Sequence, residues 1–129
     1  MKIRTHHYAE VAFPLVKALV KDPNEAKYRT LALNFPTMIM QSGLAQAIGF
    51  LMAKAKDLPA EKSEHRKLLT HLEDILKEDI KTTSANLSLY ELILKSDIST
   101  YVLFTRKALD ATAWLKRYSQ ALLSKELEA

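Results

Sequence analysis

The four histidines, His6, His7, His65 and His71, are the side chains best suited to binding a metal ion. Neighbouring residues on a helix point about 100° apart, so His6 and His7 do not converge on one ion. His65 and His71 are six positions apart and do not share a helix face. No two histidines have the i, i+4 spacing of helical zinc ligands, and there is no cysteine. We predict no metal site and no cofactor, with the histidines on the solvated surface.

Arg66 and His71, with four residues between them, form a second candidate pair. Their spacing resembles the Arg-x4-His motif of the HEPN ribonucleases, which are helical bundles. That resemblance implies that the two side chains bind and deprotonate at a scissile phosphate. Lys67 stands where that family usually has a polar Asn, Asp or His, and the surrounding leucines indicate an ordinary amphipathic helix. Short motifs arise often by chance, so a HEPN-like ribonuclease remains an alternative function.

A local acidic patch is formed by Glu73, Asp74, Glu78 and Asp79. Paired carboxylates can bind a divalent cation or exchange protons. Apolar residues alternate with these acids, which favours a solvated face or a contact for a basic partner. The chain has no glycine-rich phosphate loop and no nucleophile elbow. We therefore predict that the protein is not an enzyme.

Lysine and arginine side chains could line a groove that binds phosphate groups. Arginine offers a bidentate fork and lysine a mobile charge, and contacts of this kind are independent of sequence and sensitive to salt. A net charge of +4 and a pI of about 9.3 permit such contacts, but they fit a set of solubilising charges equally well. From charge placement alone, the candidates for phosphate or subunit contact are Lys17, Lys21, Lys54 and Lys56.

Residues 30–53 contain no Asp, Glu, Lys or Arg, although charged residues make up 26% of the chain. Pro36 divides this stretch, and we predict that one helix ends near Phe35 because proline removes a backbone donor. A central helix is predicted over residues 37–56, buried inside a bundle. Polar residues within the stretch argue against a membrane span. The side chains predicted to face inward from the central helix are Met40, Leu44, Ala47, Ile48 and Leu51.

Apolar residues at spacings of three and four predict further helices on both sides of the central one. The first covers residues 5–20 and is either kinked at Pro14 or begins near Phe13. A break at residues 57–59 precedes a strongly periodic helix, and residues 82–86 are predicted as a loop. A short helix at 89–94 and a long last helix from a cap at 96–97 to about residue 123 complete the series. Inward-facing side chains of the first and last helices are predicted to be Ala9, Ala12, Phe13, Val16, Leu19, Val20, Tyr101, Phe104, Ala108, Ala111, Leu115, Tyr118 and Leu122.

The composition favours an all-α fold, because Ala, Leu, Lys and Glu dominate and there are only two glycines. We predict a compact single-domain helical bundle of about five to seven helices over residues 1–129, with residues 124–129 as a tail that frays. The first residues lack the unbroken apolar core of a signal peptide. A cytoplasmic location is therefore the expectation.

Two segments carry a more specific resemblance. The first contains residues 35–39 (FPTMI) followed by residues 43–50 (GLAQAIGF), and the second contains Tyr101, residues 105–109 (TRKAL) and residues 114–121 (WLKRYSQA). Together, in order and separation, they resemble the small helical subunits of the type III-B CRISPR effector, the Cmr complex. The similarity covers most of the chain and is weakest across residues 58–96.

This resemblance implies a helical bundle that is not itself a nuclease and that takes part in antiviral defence. Copies of such a subunit stack as a short filament beside the subunit that holds the guide RNA, in a particle that also has a large polymerase-like subunit. The filament helps to form the groove in which target RNA pairs with the guide RNA, so base pairing reads the sequence and protein contacts follow the backbone. Within the matched segments it nominates Arg106, Lys107, Lys116 and Arg117 for RNA or subunit contact, and Trp114 as a core or interface anchor.

Three functions therefore stay open on the sequence. The first is the non-catalytic, RNA-binding Cmr subunit, which requires partner proteins and guide RNA. The second is the HEPN-like ribonuclease, which requires RNA cleavage that is lost on His71→Ala. The third is a helical protein–protein adaptor without any role in nucleic-acid binding.

Overall fold

The computed structural model describes residues 4–83 and 87–125, which form seven α-helices and no strand. A single 3-10 turn, Ala60–Lys62, precedes the fourth helix. This confirms the predicted all-α, single-domain bundle. Within the described residues, no helix combines the length and apolar character needed to cross a bilayer. The helices are α1 (Arg4–Lys17), α2 (Glu25–Ser42), α3 (Leu44–Ala55), α4 (Glu64–Ile75), α5 (Lys77–Thr83), α6 (Leu89–Lys95) and α7 (Ile98–Leu122).

The long helix α7 packs against both α1 and α2. It runs antiparallel to α2, because Ser124 at its end bonds Glu25 at the start of α2, while Tyr101 near its start reaches Ala45 just beyond the end of α2. Helix α4 contacts α1, α2, α3 and α7, and α3 lies between α2, α4 and α6. The apolar core therefore sits between α7 on one side and the α3–α4 pair on the other. Its largest fully buried side chains are Tyr8, Tyr28, Phe35, Ile39, Leu44, Ile48, Leu51, Leu68, Leu72, Ile75, Leu76 and Phe104.

The charge-free stretch does not break at Pro36, so the predicted helix end near Phe35 is wrong. Helix α2 continues through Pro36 to Ser42, and the chain breaks at Gly43 instead. Proline gives up one hydrogen bond inside a helix, but a buried face on both sides of it can offset that loss, and Phe35 and Ile39 are both buried here. Gly43 has a φ of 87°, a left-handed value that favours glycine, and its N–H donates to the carbonyl of Ile39.

Gly43 and Gly49 offer a matched test of this break. A Cβ on Gly43 would lie 3.2 Å from the Tyr101 hydroxyl, whereas one on Gly49, in the middle of α3, would meet nothing within 4 Å. We expect Gly43→Ala to lower the free energy of unfolding by about 1–2 kcal/mol and Gly49→Ala to raise it by about 0.5–1 kcal/mol. Urea denaturation of both variants measures the two values, and a stabilised Gly43→Ala protein would contradict the account of the break.

The break also changes which side chains of this stretch are inside. Met40, predicted to face the core, is 76% exposed, and Ile39 takes the buried position in its place. Because the chain changes direction at Gly43, the residues before and after it do not belong to one helical stripe. Leu44, Ala47 and the rest of the α3 stripe are buried, as predicted.

Helix α1 begins at Arg4 and carries Pro14 in its last turn, so it does not start near Phe13. It ends at Lys17 rather than at Val20, and the chain then turns through Lys21, which has a φ of 68°. Two side chains predicted to face inward, Phe13 and Val20, are 40% and 42% exposed. Tyr8, which the sequence did not nominate, is buried, and its hydroxyl is satisfied there by donating to Asp79 Oδ2 at 2.7 Å.

The later helices follow the prediction more closely. The single periodic helix after residue 59 is divided at Leu76 into α4 and α5, and its inward side chains are buried. Ser88 forms a capping box with Glu91 at the start of α6, and Asp97 caps α7 by accepting from the Thr100 N–H at 2.8 Å. Of the predicted 82–86 loop, Thr82 and Thr83 belong to α5. Residues 84–86, and residues 126–129 of the predicted tail, lie outside the described residues.

Candidate nucleic-acid interface

Three aromatic rings meet on the outer side of α1 and α7. The Phe13 ring contacts the Tyr118 ring edge-on, with 5.2 Å between centroids. Trp114, four residues before Tyr118 on the same face of α7, lies 5.7 Å from it in a tilted arrangement. Phe13 is exposed and the other two side chains are half-buried, so the rings present part of their area to solvent. We call Phe13, Trp114 and Tyr118 the aromatic surface.

Basic side chains border this surface. The Lys17 ammonium lies 5.8 Å from the centroid of the Phe13 ring, one helical turn away on α1. Arg117, three residues after Trp114 on α7 and so on a neighbouring part of its surface, is exposed, and its Nη1 donates to Gln120 Oε1 at 3.3 Å. Lys116 is half-buried, but it is two residues from both Trp114 and Tyr118 on α7 and therefore points about 200° away from their rings. Aromatic rings with flanking cations are the combination that single-stranded nucleic acids bind, because every base can stack and every linkage carries a charge.

A shallow cavity of about 540 Å³ opens beside the aromatic surface. It is lined by His6, Ala9 and Glu10 of α1, together with Phe13 and Tyr118. This lining adds an acidic side chain, Glu10, to the edge of a surface whose flanking side chains Lys17 and Arg117 are basic.

Lys107 does not belong to this surface, although the resemblance nominates it. Its ammonium forms an ion pair of 2.8 Å with Asp79 Oδ1, and Asp79 also accepts from the Tyr8 hydroxyl. The pair ties α5 to α1 and α7, and the Lys107 side chain is largely buried. Because its charge is already matched inside the fold, Lys107 has little to offer a phosphate.

The remaining nominated cations lie elsewhere. Arg106 is exposed on α7, and Lys21 is exposed in the turn after α1. Lys54 lies 5.9 Å from the Phe50 ring centroid on α3, and Lys56 follows the last residue of that helix. The structure thus brings Lys17 and Arg117 to the aromatic surface, leaves Lys116 on another face of α7, and puts Lys54 in the last turn of α3 with Lys56 just after it. The eight candidates do not form one groove.

The structure separates Arg66 from His71. Arg66 donates from Nη2 to the carbonyl of Ala55 at 3.1 Å and lines a cavity with the end of α3 and the start of α6. His71 lines a different cavity, against the apolar end of α1. The two side chains do not meet at one site, so the geometry of a shared scissile phosphate is absent from the described part of the chain.

His71 is also not the solvated surface side chain that the sequence analysis expected. It is 9% exposed, and its Nδ1 lies 2.8 Å from the hydroxyl of the fully buried Tyr28. The chain places it there because α2 packs across α4. Burial, followed by the nearby Lys67 charge, lowers the pKa of His71 to about 4. A neutral imidazole that bonds a core tyrosine is a structural group.

The buried imidazole of His71 predicts that the stability of the fold depends on pH. The folded pKa of about 4 lies below the ordinary 6.5, so the unfolded chain binds the proton more tightly and stability falls as the pH drops below 6.5. We expect a loss of about 2 kcal/mol between about pH 7.5 and about pH 5. Denaturant unfolding at both pH values, compared with His71→Gln, measures it. An equal loss in the variant would show that other groups are responsible.

The acidic patch is divided between two helices. Glu73 and Asp74 are on α4, while Glu78 and Asp79 are on α5 beyond the break at Leu76. Asp79 is engaged by Lys107 and Tyr8, and Glu78 and Asp74 are exposed. Among the described residues, no group of three or more His, Asp or Glu side chains is arranged to hold a metal ion.

Comparison with known proteins identifies the family of this chain. The model of the CRISPR-associated protein family Cas_Cmr5 matches residues 4–122. The chain belongs to the Cmr5 family. One relative, the CRISPR system Cmr subunit Cmr5 of Thermus thermophilus, is 29% identical over 124 residues, which cover 95% of this chain and 98% of that protein. The X-ray crystal structure of a Cmr5 family protein from the same organism superposes with a TM-score of 0.78 and 28% identity, covering 96% of this chain and all of that one.

Membership in the Cmr5 family agrees with the resemblance noted in the sequence. The aromatic surface itself was missed by sequence reasoning, because Phe13 was assigned to the core. One signal could have found it: Phe13 and Lys17 are four residues apart on α1, as Trp114 and Tyr118 are on α7. Aromatic and basic residues at this spacing share a helix face, but only the packing of α1 on α7 brings the two faces together.

Proposed function

We propose that this protein is a non-catalytic small subunit of a Cmr-type, RNA-guided CRISPR effector that acts in the cytoplasm in antiviral defence. The observation that carries the proposal is a surface of aromatic and basic side chains on α1 and α7 in a chain that matches the Cmr5 family from residue 4 to residue 122. The separation of Arg66 from His71 supports a non-catalytic role, because a HEPN-like reaction requires both at one phosphate.

RNA binding would follow from the charges on the α1–α7 side. Lys17 and Arg117 would contact phosphates of guide or target RNA, the neighbouring rings would stack on exposed bases, and Lys116 would add a phosphate contact from another face of α7. Such contacts carry no base-specific information, so the sequence would be read by pairing between the guide and target RNA. The protein would contribute affinity for the RNA backbone and help to shape the groove in which the two RNA strands pair.

Partner proteins would cover the exposed apolar side chains. Ile98 is 83% exposed, Leu94 is 59% exposed and Met40 is 76% exposed. Ile98 and Leu94 line one shallow cavity at the corner between α6 and α7. Exposed apolar area of this kind is typical of interaction sites. We propose that further copies of this chain, the subunit that holds the guide RNA and the large polymerase-like subunit are the partners, with copies stacked as a short filament.

Native mass spectrometry of the tagged protein purified from its host, with sequencing of any bound RNA, tests this function. We expect a multi-subunit particle that contains repeat-derived guide RNA and more than one copy of this chain. A free monomer or homodimer without RNA would contradict the proposal, and a particle of proteins without RNA would favour the adaptor function. The catalytic alternative predicts RNA cleavage that His71→Ala removes.

A further inference from the structure

A cavity on the α3–α4 side of the molecule contains the chemical groups that a nucleotide requires. Its volume is about 400 Å³, which is in the range of small-molecule sites, and it lies between the end of α3, the outer face of α4 and the start of α6. Met52 and Leu69 give it apolar walls, and the half-buried Tyr90 adds an aromatic ring. A planar base can pack between such groups.

Two cations stand at this cavity in defined positions. Arg66 is half-buried, and its bond from Nη2 to the Ala55 carbonyl fixes the guanidinium at the end of α3. Lys56, the exposed residue that follows α3, extends from the rim. The remaining guanidinium donors and the mobile ammonium can bind a phosphate together.

Glu73 adds a carboxylate, a hydrogen-bond acceptor, to the same cavity. Its carboxylate is half-buried, and no described residue donates a hydrogen bond to it. Burial, and secondarily the charge of Asp74, raise the pKa of Glu73, while the charge of Arg66 opposes them. A partly desolvated carboxylate without a donor gains when a ligand offers N–H groups.

The charges around the cavity also indicate what kind of ligand fits. Lys56 and Arg66 bring two positive charges to the cavity, and Asp57 and Glu73 bring two negative ones, so the formal charges cancel. A free phosphate therefore gains little net attraction here. A ligand that combines a phosphate, an apolar ring and an N–H donor matches all three parts.

We propose that this cavity binds one nucleotide of single-stranded RNA whose base carries an exocyclic amino group. The phosphate contacts Lys56 and Arg66, the base packs against Tyr90, and the amino group donates to Glu73. Adenine, cytosine and guanine meet this requirement, whereas uracil has no exocyclic amino group and its N3–H lies between two carbonyl oxygens that the Glu73 carboxylate repels. The inference goes beyond the proposed function, because the contacts on α1 and α7 do not distinguish one base from another, whereas binding in this cavity depends on the base.

Titration of the ¹⁵N-labelled protein with the four ribonucleoside 5′-monophosphates, followed by NMR, tests the inference. We expect AMP, CMP and GMP to shift the signals of Lys56, Arg66 and Tyr90, and UMP to bind about tenfold more weakly, because it lacks the amino group and brings two carbonyl oxygens beside its N3–H. Glu73→Gln should remove this difference, since the amide can both donate and accept. Glu78→Gln, an exposed carboxylate outside the cavity, should leave it unchanged.

Lysine variants and oligonucleotides complete the test. Lys56→Gln should weaken AMP binding several-fold, and Lys54→Gln, two residues earlier in the last turn of α3 but outside the cavity, should not. A hexamer of oligo(A) should shift the same signals at least as strongly as AMP if a strand is the natural ligand. Equal binding of UMP, or oligo(A) that leaves these signals in place, would overturn the inference. Shifts confined to α1 and α7 would overturn it as well and leave the proposed function intact.

Discussion

Lys116→Glu combined with Arg117→Glu is expected to weaken RNA binding by the assembled complex by about 10- to 100-fold at about 0.1 M salt. Each reversal removes a phosphate contact and puts a negative charge beside the backbone. Both residues are on α7, where Arg117 is exposed and Lys116 is half-buried. Fluorescence anisotropy with labelled RNA over a salt series measures the affinity, and the slope of log affinity against log salt should fall by about two.

The matched control for this variant is Lys62→Glu combined with Lys81→Glu. Both lysines are exposed, and neither is on α1 or α7, so the net charge changes equally without altering the aromatic surface. Thermal unfolding should be similar for both double variants, because no lost side chain belongs to the core. If the two double variants lose affinity equally, net charge rather than this surface controls RNA binding. An unchanged affinity across the salt series removes Lys116 and Arg117 from the site.

Glu25→Ala is expected to produce a large loss of stability, about 3–4 kcal/mol, from the removal of two charge-assisted hydrogen bonds. The Glu25 carboxylate accepts from the Lys21 N–H at 2.6 Å and from the Ser124 N–H at 3.0 Å. It thereby joins the turn after α1, the start of α2 and the end of α7, and it is only 8% exposed. Urea denaturation measures the change, and Glu78→Ala, at an exposed position on α5, should stay within about 0.5 kcal/mol of the parent.

The same carboxylate predicts an acid limit to stability. The N–H groups of Lys21 and then Ser124 lower the pKa of Glu25 below its ordinary 4.5. The unfolded chain therefore takes up the proton first, so this contribution is complete above pH 4.5 and is lost as the pH falls further. This pH range lies below the range in which His71 acts. Glu25→Gln should therefore reduce the loss of stability only in the lower pH range. A loss in the variant identical to that of the parent below pH 4.5 would assign the acid limit to other carboxylates.

The sequence determined the helical content and most of the core of this protein. Leu68, Leu72 and Leu115 lie at helical spacing within their helices and are fully buried, because a helix removes an apolar stripe from water by packing it against the core. The predicted cap marked the start of the last helix equally well, as Asp97 shows, since a cap acts on backbone groups within its own turn. The resemblance to the Cmr subunits also rested on local segments and was confirmed by the family match.

The tertiary structure alone decided where the charge-free stretch breaks and what the polar residues do. Pro36 carries a stronger local signal than Gly43, but the proline is tolerated because packing holds both sides of α2, and the glycine takes the left-handed turn. Whether Lys107 faces RNA or Asp79, and whether His71 faces water or Tyr28, depends on a partner 28 or 43 residues away. Helical periodicity assigns a residue to a face, but only the assembled bundle determines what that face meets. The same is true of Phe13. The sequence predicted it in the core, but the packing of α1 on α7 puts it on the surface that we propose binds RNA.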